Sequence, residues 1–487
     1  MTEVRPADSC ILAAIDVGTN SIRLVVAEGS PDGRLRIIDD EKETTRLGQG
    51  LNATGRLQPG AIEASVGAID RMKRIAEGYG ARQIRIVGTS AARVAVNGDD
   101  FIEAIRRRAG LELEVLSGEE EAKLAFVSVA SAFDIELINA AVVDIGGGSV
   151  EVVLAAGGVV QQVRSLDVGA VRLTERFGPC EDDARAYNNL RAAVRRAIRA
   201  GFDNLAFSPH IMFGTGGTFT SVAAMEAHRR GVAGGDVWPK IRGFELQRAE
   251  VRHHLDRLRV MTVDERADLP GVSRDRAEIA VAGLVLAETL MRHLTVNTLR
   301  VHDRGIREGM LLQMLAEAFP PAGSAAGRPR DRLRGIREFG ERCRFDPVSA
   351  GHVAALALTI FDALATEPHF AGPWCAHPAR ELLEAAALLH DVGYFINYAK
   401  HHKHSYHLIV HSDVAGYTHR ELEIIAQIAR YHRRAEPRLK HAPYAALELA
   451  DRDIVCRLGG ILRLAVGRAR PPPPPRRARE APNPPAP

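Results

Sequence analysis

Ala14-Ile15-Asp16-Val17-Gly18-Thr19-Asn20-Ser21-Ile22-Arg23-Leu24-Val25-Val26 is one of two versions of a single pattern in this chain. The other is Val142-Val143-Asp144-Ile145-Gly146-Gly147-Gly148-Ser149-Val150-Glu151-Val152-Val153-Leu154. Asp16 aligns with Asp144, Gly18 with Gly146 and Ser21 with Ser149. Apolar, largely β-branched runs on either side of small residues predict two strands joined by a tight turn. Glycine lets such a turn approach an anion and aim its N–H groups at phosphoryl oxygens. An Asp ending the first strand sits where a metal ion or its waters can be held. A lone Asp-x-Gly turn reads better as a hairpin whose glycines satisfy geometry. Two copies in register point instead to two halves that clamp one polyanion.

The rest of the chain is consistent with that reading. Its 487 residues leave room for several domains, and 46% hydrophobic with 26% charged residues is the composition of a soluble globular protein. A net charge of +3 gives no argument for a nucleic-acid partner. Cys10, Cys180, Cys343, Cys375 and Cys456 lack ligand or redox spacing, as expected of reduced thiols. With no signal pattern at the N-terminus and no apolar run expected to approach the ~20 residues of a membrane span, the expectation is a cytoplasmic protein without a membrane partner.

Strand-like and helix-like segments alternate from residue 11 to about 315, which predicts two α/β domains with a cleft between them. Helical periodicity covers 61–78, 99–109, 189–203, 274–292 and 303–318. The small, basic, Pro/Gly-rich segment 320–330 reads as a linker. Ala/Leu-rich helices follow, with nine of the eighteen histidines between His390 and His441, so a separate all-α domain is expected over 331–466. The Arg/Pro-rich stretch 467–487 reads as a disordered tail. The α/β domains divide as 1–130 and 131–319.

Four further constellations carry chemistry. Ser117 and Glu120 have capping-box spacing, so a helix starts at Ser117-Gly118-Glu119-Glu120-Glu121. Acids suit a helix N-terminus, which accounts for Glu119 and Glu120. Glu121 gains nothing from capping and is the candidate for orienting or deprotonating a water. Arg23 and Glu151 hold equivalent positions with opposite charge, one suited to phosphate and the other to the metal side. Arg93, after the turn Gly88-Thr89-Ser90-Ala91-Ala92, can reach a phosphate bidentately or stand as a solvated loop residue. Gly214-Thr215-Gly216-Gly217-Thr218, between the strand 210–213 and a helix, is a third phosphate-type loop. In the helical region His390-Asp391, with His352 upstream, can bind a divalent metal, and the run His401-His402-Lys403-His404 adds donors.

In this order the motifs Asp16–Arg23, Ser117–Ala122, Asp144–Glu151, Gly214–Thr218 and Arg304–Gly309 resemble the exopolyphosphatase / guanosine pentaphosphate phosphohydrolase family of the actin-like ATPase superfamily. The resemblance covers roughly residues 10–315. It implies two RNase H-like domains around an active-site cleft, with Glu121 as catalytic glutamate and Asp144 and Glu151 near the metal and water. It further implies that Asp16 assists at the metal and that Mg²⁺ (or Mn²⁺) is the cofactor. Thr19, Asn20, Ser21, Arg23, Arg93, Gly146, Gly147, Gly148, Ser149, Gly216, Gly217 and Thr218 are then the phosphate-binding set. The implied substrate is inorganic polyphosphate, with guanosine pentaphosphate as the alternative, and a homodimer is the implied assembly. From the residues alone, an actin-like kinase or ATPase and a non-catalytic phosphate sensor stay open. The third domain is similar to an HD-type helical domain at His352, His390 and Asp391. It lacks the later Asp near Leu462–Val466, which implies a polyphosphate-binding surface in place of a metal hydrolase.

Overall fold

The computed structural model describes residues 9–319 apart from 203 and 232–240, and residues 332–469 apart from 368–373, 375–376, 398–399, 413, 415–416 and 434. The expected linker 320–330 and residues 470–487 of the expected tail lie outside the described residues. Residues 467–469 of that tail complete the helix Leu449–Ala469. The chain divides into two compact units at residue 328.

The first unit contains the duplication as two sheets of the same plan. In the first, β1 (Cys10–Val17), β2 (Ile22–Gly29) and β3 (Leu35–Glu43) form an antiparallel meander, with β4 (Gln83–Gly88) and β5 (Leu113–Val115) added in parallel, in the order β3-β2-β1-β4-β5. In the second, β6 (Asn139–Ile145), β7 (Val150–Ala156) and β8 (Val159–Leu166) repeat the meander. There β9 (Ile211–Thr215) lies parallel beside β6, β10 (Glu245–Gln247) forms the edge, and β11 (Thr298–Val301) lies parallel to β9. Asp16 pairs with Arg23 across β1–β2, and Asp144 with Glu151 across β6–β7, so the aligned residues occupy equivalent registers.

Both faces of the central strands are covered, which is why their sequences are apolar without strict alternation. Ile11, Ala13 and Ile15 face one side of the first sheet, with Ile69 from the helix Pro59–Gly78 and Phe101 from Gly98–Ala109. Leu12 and Ala14 face the other side, against Met310, Leu311 and Met314 of the helix Ile306–Ala318. In the second sheet Ala140 and Val142 meet Ala122, Ala125 and Val129 of the helix Gly118–Ala132. Packing therefore crosses the boundary expected at 130/131. The helix that ends the first half in sequence covers the second sheet, and the last helix of the second half covers the first. Each buried Leu- or Met-sized side chain contributes about 1.5–3 kcal/mol, so these two helices tie the halves together.

Local readings differ in three places. Gly88–Arg93 is not all turn, because Ser90–Val94 is a short helix. Gly214 and Thr215 finish β9, and the bend falls on Gly216, whose φ of 89° suits glycine. The periodic stretch 274–292 splits into Arg274–Ala277 and Ala280–His293.

The second unit packs the helices Pro347–Ala365, His377–Leu389, His401–Val410, His419–Arg430 and Leu449–Ala469 around a core that includes Phe361, Leu383, Ile425 and Leu458. Contrary to the expectation from sequence, Pro347–Ala365 is 19 residues long and apolar enough by length and composition to cross a bilayer. Its Val353, Ala354, Ala357 and Phe361 are buried in the helical core.

Candidate active site

The two hairpin turns close with the same hydrogen bond. Gly18 N–H donates to Ser21 O at 3.1 Å, and Gly146 N–H to Ser149 O at 3.0 Å. The carbonyls of the turns are satisfied from behind. Thr19 O and Asn20 O accept from the N–H groups of Gly48 and Arg46, both at 2.9 Å, while Gly146 O and Gly147 O accept from Ala170 and Val171 at 3.0 and 2.9 Å. Among the described residues, the N–H groups of Thr19, Asn20, Gly147 and Gly148 donate to no protein acceptor. Uncompensated backbone donors persist where an anion or water takes them.

These turns face each other. A Cβ on Gly147 would lie 3.2 Å from Thr19 Cβ, and one on Gly148 would lie 2.9 Å from Thr19 Oγ1, so the second turn needs glycine to come this close. Between them lies a cavity of about 180 Å³. Gly216, Gly217 and Thr218 complete its lining, at the start of a helix (Gly217–Arg229) that has no side-chain cap. Its orphan N–H groups and positive dipole end add to the anion-binding character.

Five acids line the same space: Asp16, Glu121, Asp144 and Glu151, with Asp303 ion-paired to Arg242. The capping box forms as expected, with Ser117 accepting from the Glu120 N–H and Glu120 accepting from that of Ser117. It fixes the first turn so that Glu121 points inward, only 3% exposed. Arg93 Nη1 is ion-paired with Glu121 and also donates to Leu116 O at 2.7 Å. Arg93 is therefore a partner of the glutamate and does not line the cavity. Burial outweighs that pairing and pushes Glu121 up to about 7, helped by the negative charge of Asp16 and Asp144. Burial also lifts Asp144 to about 6, and raises Asp16 and Glu151. Glu151 accepts from Ser165 Oγ at 3.0 Å. Buried carboxylates kept this close to neutrality are poised for proton transfer or for a cation.

Two cations face them. Arg23 and Arg276 line the cavity, and neither guanidinium makes a hydrogen bond or ion pair with any described residue. Burial and the neighbouring guanidinium groups of Arg307 and Arg276 push Arg23 down to about 10. Burial likewise lowers Arg276. A Cβ on Gly217 would overlap the Arg276 guanidinium, so that glycine makes room for it. Arg304 and Arg307, also in the lining, are paired with Glu308 (2.6 Å) and Asp40 (2.5 Å).

The structure thus brings together Asp16, Thr19, Asn20, Ser21, Arg23, Glu121, Asp144, Gly146, Gly147, Gly148, Ser149, Glu151, Gly216, Gly217 and Thr218. Sequence reading missed Arg276 and Asp303, and it noted Thr89, Ser90, Arg304 and Arg307 only as parts of motifs without placing them in the site whose lining they share. Ser90 Oγ and Asp16 Oδ1 are buried without a hydrogen-bond partner, two oxygens aimed at a group the protein does not supply. The all-oxygen acid set fits a hard divalent cation. Asp16, Asp144 and Glu151 do not form a group of donors all within 4.8 Å of one another, so some water would remain on such an ion. In the helical unit His390 and Asp391 are adjacent to His401 and His432, whereas His352 is exposed on its helix.

Comparison with known proteins gives a consistent picture. Residues 25–318 match the Ppx/GppA phosphatase family, and residues 332–471 match Ppx/GppA phosphatase domain III. The chain is 28% identical over 356 residues to exopolyphosphatase 1 of Mycobacterium tuberculosis, covering 68% of this chain and 99% of that protein. It is 28% identical over 431 residues to guanosine-5'-triphosphate,3'-diphosphate pyrophosphatase of Vibrio cholerae, covering 87% of this chain and 81% of that one. The crystal structure of the Aquifex aeolicus Ppx/GppA family member superposes with a TM-score of 0.54 at 29% identity, covering 63% of this chain and 98% of that one. An exopolyphosphatase from Cytophaga hutchinsonii shares the fold, with a TM-score of 0.57 at 24% identity over 63% of this chain and 98% of that one.

Proposed function

The chain belongs to the Ppx/GppA phosphatase family, and on that premise we propose that it is an exopolyphosphatase, removing orthophosphate from the end of inorganic polyphosphate. The observation that carries this reading is the pair of turns whose unpaired amides open onto one cavity. A chain end bound there receives donors from both halves, while Arg23 and Arg276 supply the counter-charge. Glu121 accepts a proton from a water as its oxygen bonds to the terminal phosphorus and the bridging P–O bond breaks. Orthophosphate leaves with a chain one unit shorter. Mg²⁺, or Mn²⁺ in its place, held by Asp16, Asp144 and Glu151, would neutralise phosphoryl oxygens.

A second reading has specific support, because the guanosine pentaphosphate-cleaving relative matches more of this chain than the exopolyphosphatase does. The two share a centre and differ in what lies beyond the terminal phosphates. Purified protein with Mg²⁺ is expected to release orthophosphate from long-chain polyphosphate. Turnover of guanosine pentaphosphate with none of polyphosphate would establish the second reading in its place.

The acids also make stability depend on pH and metal. Asp144 and Glu121 have folded values raised to about 6 and about 7, so the folded chain holds protons that the unfolded chain has lost. Their contribution is present below the ordinary carboxylate range and is lost as pH rises through those values. A divalent ion offsets the cost of burying these carboxylates in their ionised form. The rise in melting temperature on adding Mg²⁺ is therefore expected to be larger near about pH 8 than near about pH 5. Equal rises at both would contradict placing the ion among these acids.

A further inference from the structure

Four chemistry-bearing side chains converge in the helical unit, apart from the site described above. His390 follows the helix His377–Leu389, Asp391 precedes the turn Val392–Phe395, His401 opens the helix His401–Val410, and His432 follows His419–Arg430. All three histidines are buried, at 4%, 1% and 3% exposure. A carboxylate oxygen of Asp391 and one ring nitrogen each of His401 and His432 lie within 4.8 Å of one another. Nε2 of His390 is 3.2 Å from Asp391 Oδ2, and Nε2 of His401 and of His432 lie 3.2 and 3.8 Å from Oδ1.

The ring orientations are set from behind. Nδ1 of His390 lies 2.7 Å from Ala387 O, and Nδ1 of His432 lies 2.6 Å from Ala429 O. A carbonyl only accepts, so these Nδ1 atoms carry the hydrogen and each ring turns its Nε2 toward Asp391. Imidazoles that ligate metals are oriented by this kind of bond from the remote nitrogen. Asp391 Oδ1 is buried yet accepts no hydrogen bond, although two ring nitrogens stand beside it. Ring nitrogens that converge on a buried carboxylate oxygen accepting no hydrogen bond describe a place for a cation. The backbone is shaped to hold it: a Cβ on Gly393 would overlap the carbonyl of His401, and Ser405 Oγ bridges Gly393 N–H (2.9 Å) and His390 O (2.8 Å).

We propose that His390, Asp391, His401 and His432 bind one transition-metal ion of the Zn²⁺ class. Imidazole nitrogens with one carboxylate select such an ion over Mg²⁺. Asp391 keeps 37% of its side chain exposed, which leaves an entry route and an open coordination position. The later Asp missing near Leu462–Val466 is not needed, because His401 and His432 supply the ligands.

The test uses the full chain and Co²⁺ as a coloured stand-in for Zn²⁺, with saturating Mg²⁺ to occupy the acidic site. One equivalent of Co²⁺ with an imidazole-type visible spectrum is expected, and it should persist in Glu121→Gln. His401→Gln, His432→Gln and the near-isosteric Asp391→Asn should each weaken Co²⁺ binding at least about 100-fold, beyond the cost of altering an outer-shell partner, with melting curves confirming folded protein. Co²⁺ binding and spectrum unchanged in the folded variants, or no Co²⁺ bound above excess Mg²⁺, would overturn the proposal and leave shared protons as the occupants of the cluster.

Discussion

Glu121→Gln is expected to lower kcat by about 10²–10⁴, the usual contribution of a positioned general base, while polyphosphate affinity stays within a few-fold of the parent. Gln keeps an oxygen for the Arg93 guanidinium, so the contact from Arg93 and its anchor on Leu116 O survive. What disappears is a carboxylate that burial has pushed up to about 7 and that can take a proton near neutrality. The same property sets the acid limb of the parent enzyme, in which kcat/KM should fall as pH drops below the value of Glu121 in the free protein. A Gln variant that turns over normally but melts earlier would reduce Glu121 to a structural partner of Arg93. Isothermal binding to polyphosphate alongside single-turnover rates separates the two outcomes.

The second large effect falls on Arg276, for which the sequence offered no signal. Its guanidinium shares the cavity with that of Arg23, and neither has a protein partner among the described residues. Unpaired, partly buried cations destabilise the free fold and strengthen the bound state once an anion arrives. Arg276→Ala should therefore leave the melting temperature unchanged or raised and weaken polyphosphate binding at least about thirtyfold, equivalent to the ~2 kcal/mol lower end for losing a close charge partner. Arg276→Lys should recover only part of it, because a single ammonium cannot reproduce the planar fork. Gly217→Ala should weaken binding without removing any charge, since its Cβ would displace the Arg276 side chain. Unchanged affinity in Arg276→Ala would show that this arginine does not meet the substrate.

The contrast between Glu121 and Arg276 shows what a sequence can disclose. The paired turns were legible because chemistry and local geometry were written in consecutive residues, twice. Glu121 was legible by elimination, since capping explained its neighbours and left it unexplained. Arg276 sits in a short helix with ordinary composition, and only the fold carries it to Gly217. The exchange of covering helices was equally hidden: Ala122 and Val129 look apolar from sequence, but nothing local says which sheet they will meet. The His390-Asp391 pair stood out as adjacent residues. Of its partners, His401 was legible only as one donor in a histidine-rich run and His432 gave no signal, because helix packing, and no spacing rule, assembles them.

A crystal of the Glu121→Gln protein soaked with Mg²⁺ and long-chain polyphosphate addresses the shared cradle most directly. The terminal phosphoryl group is expected between the two bends, its oxygens within hydrogen-bond reach of amides at Thr19 or Asn20 and at Gly147 or Gly148 together. Phosphate seated on one bend alone, or outside the cavity, would contradict the account.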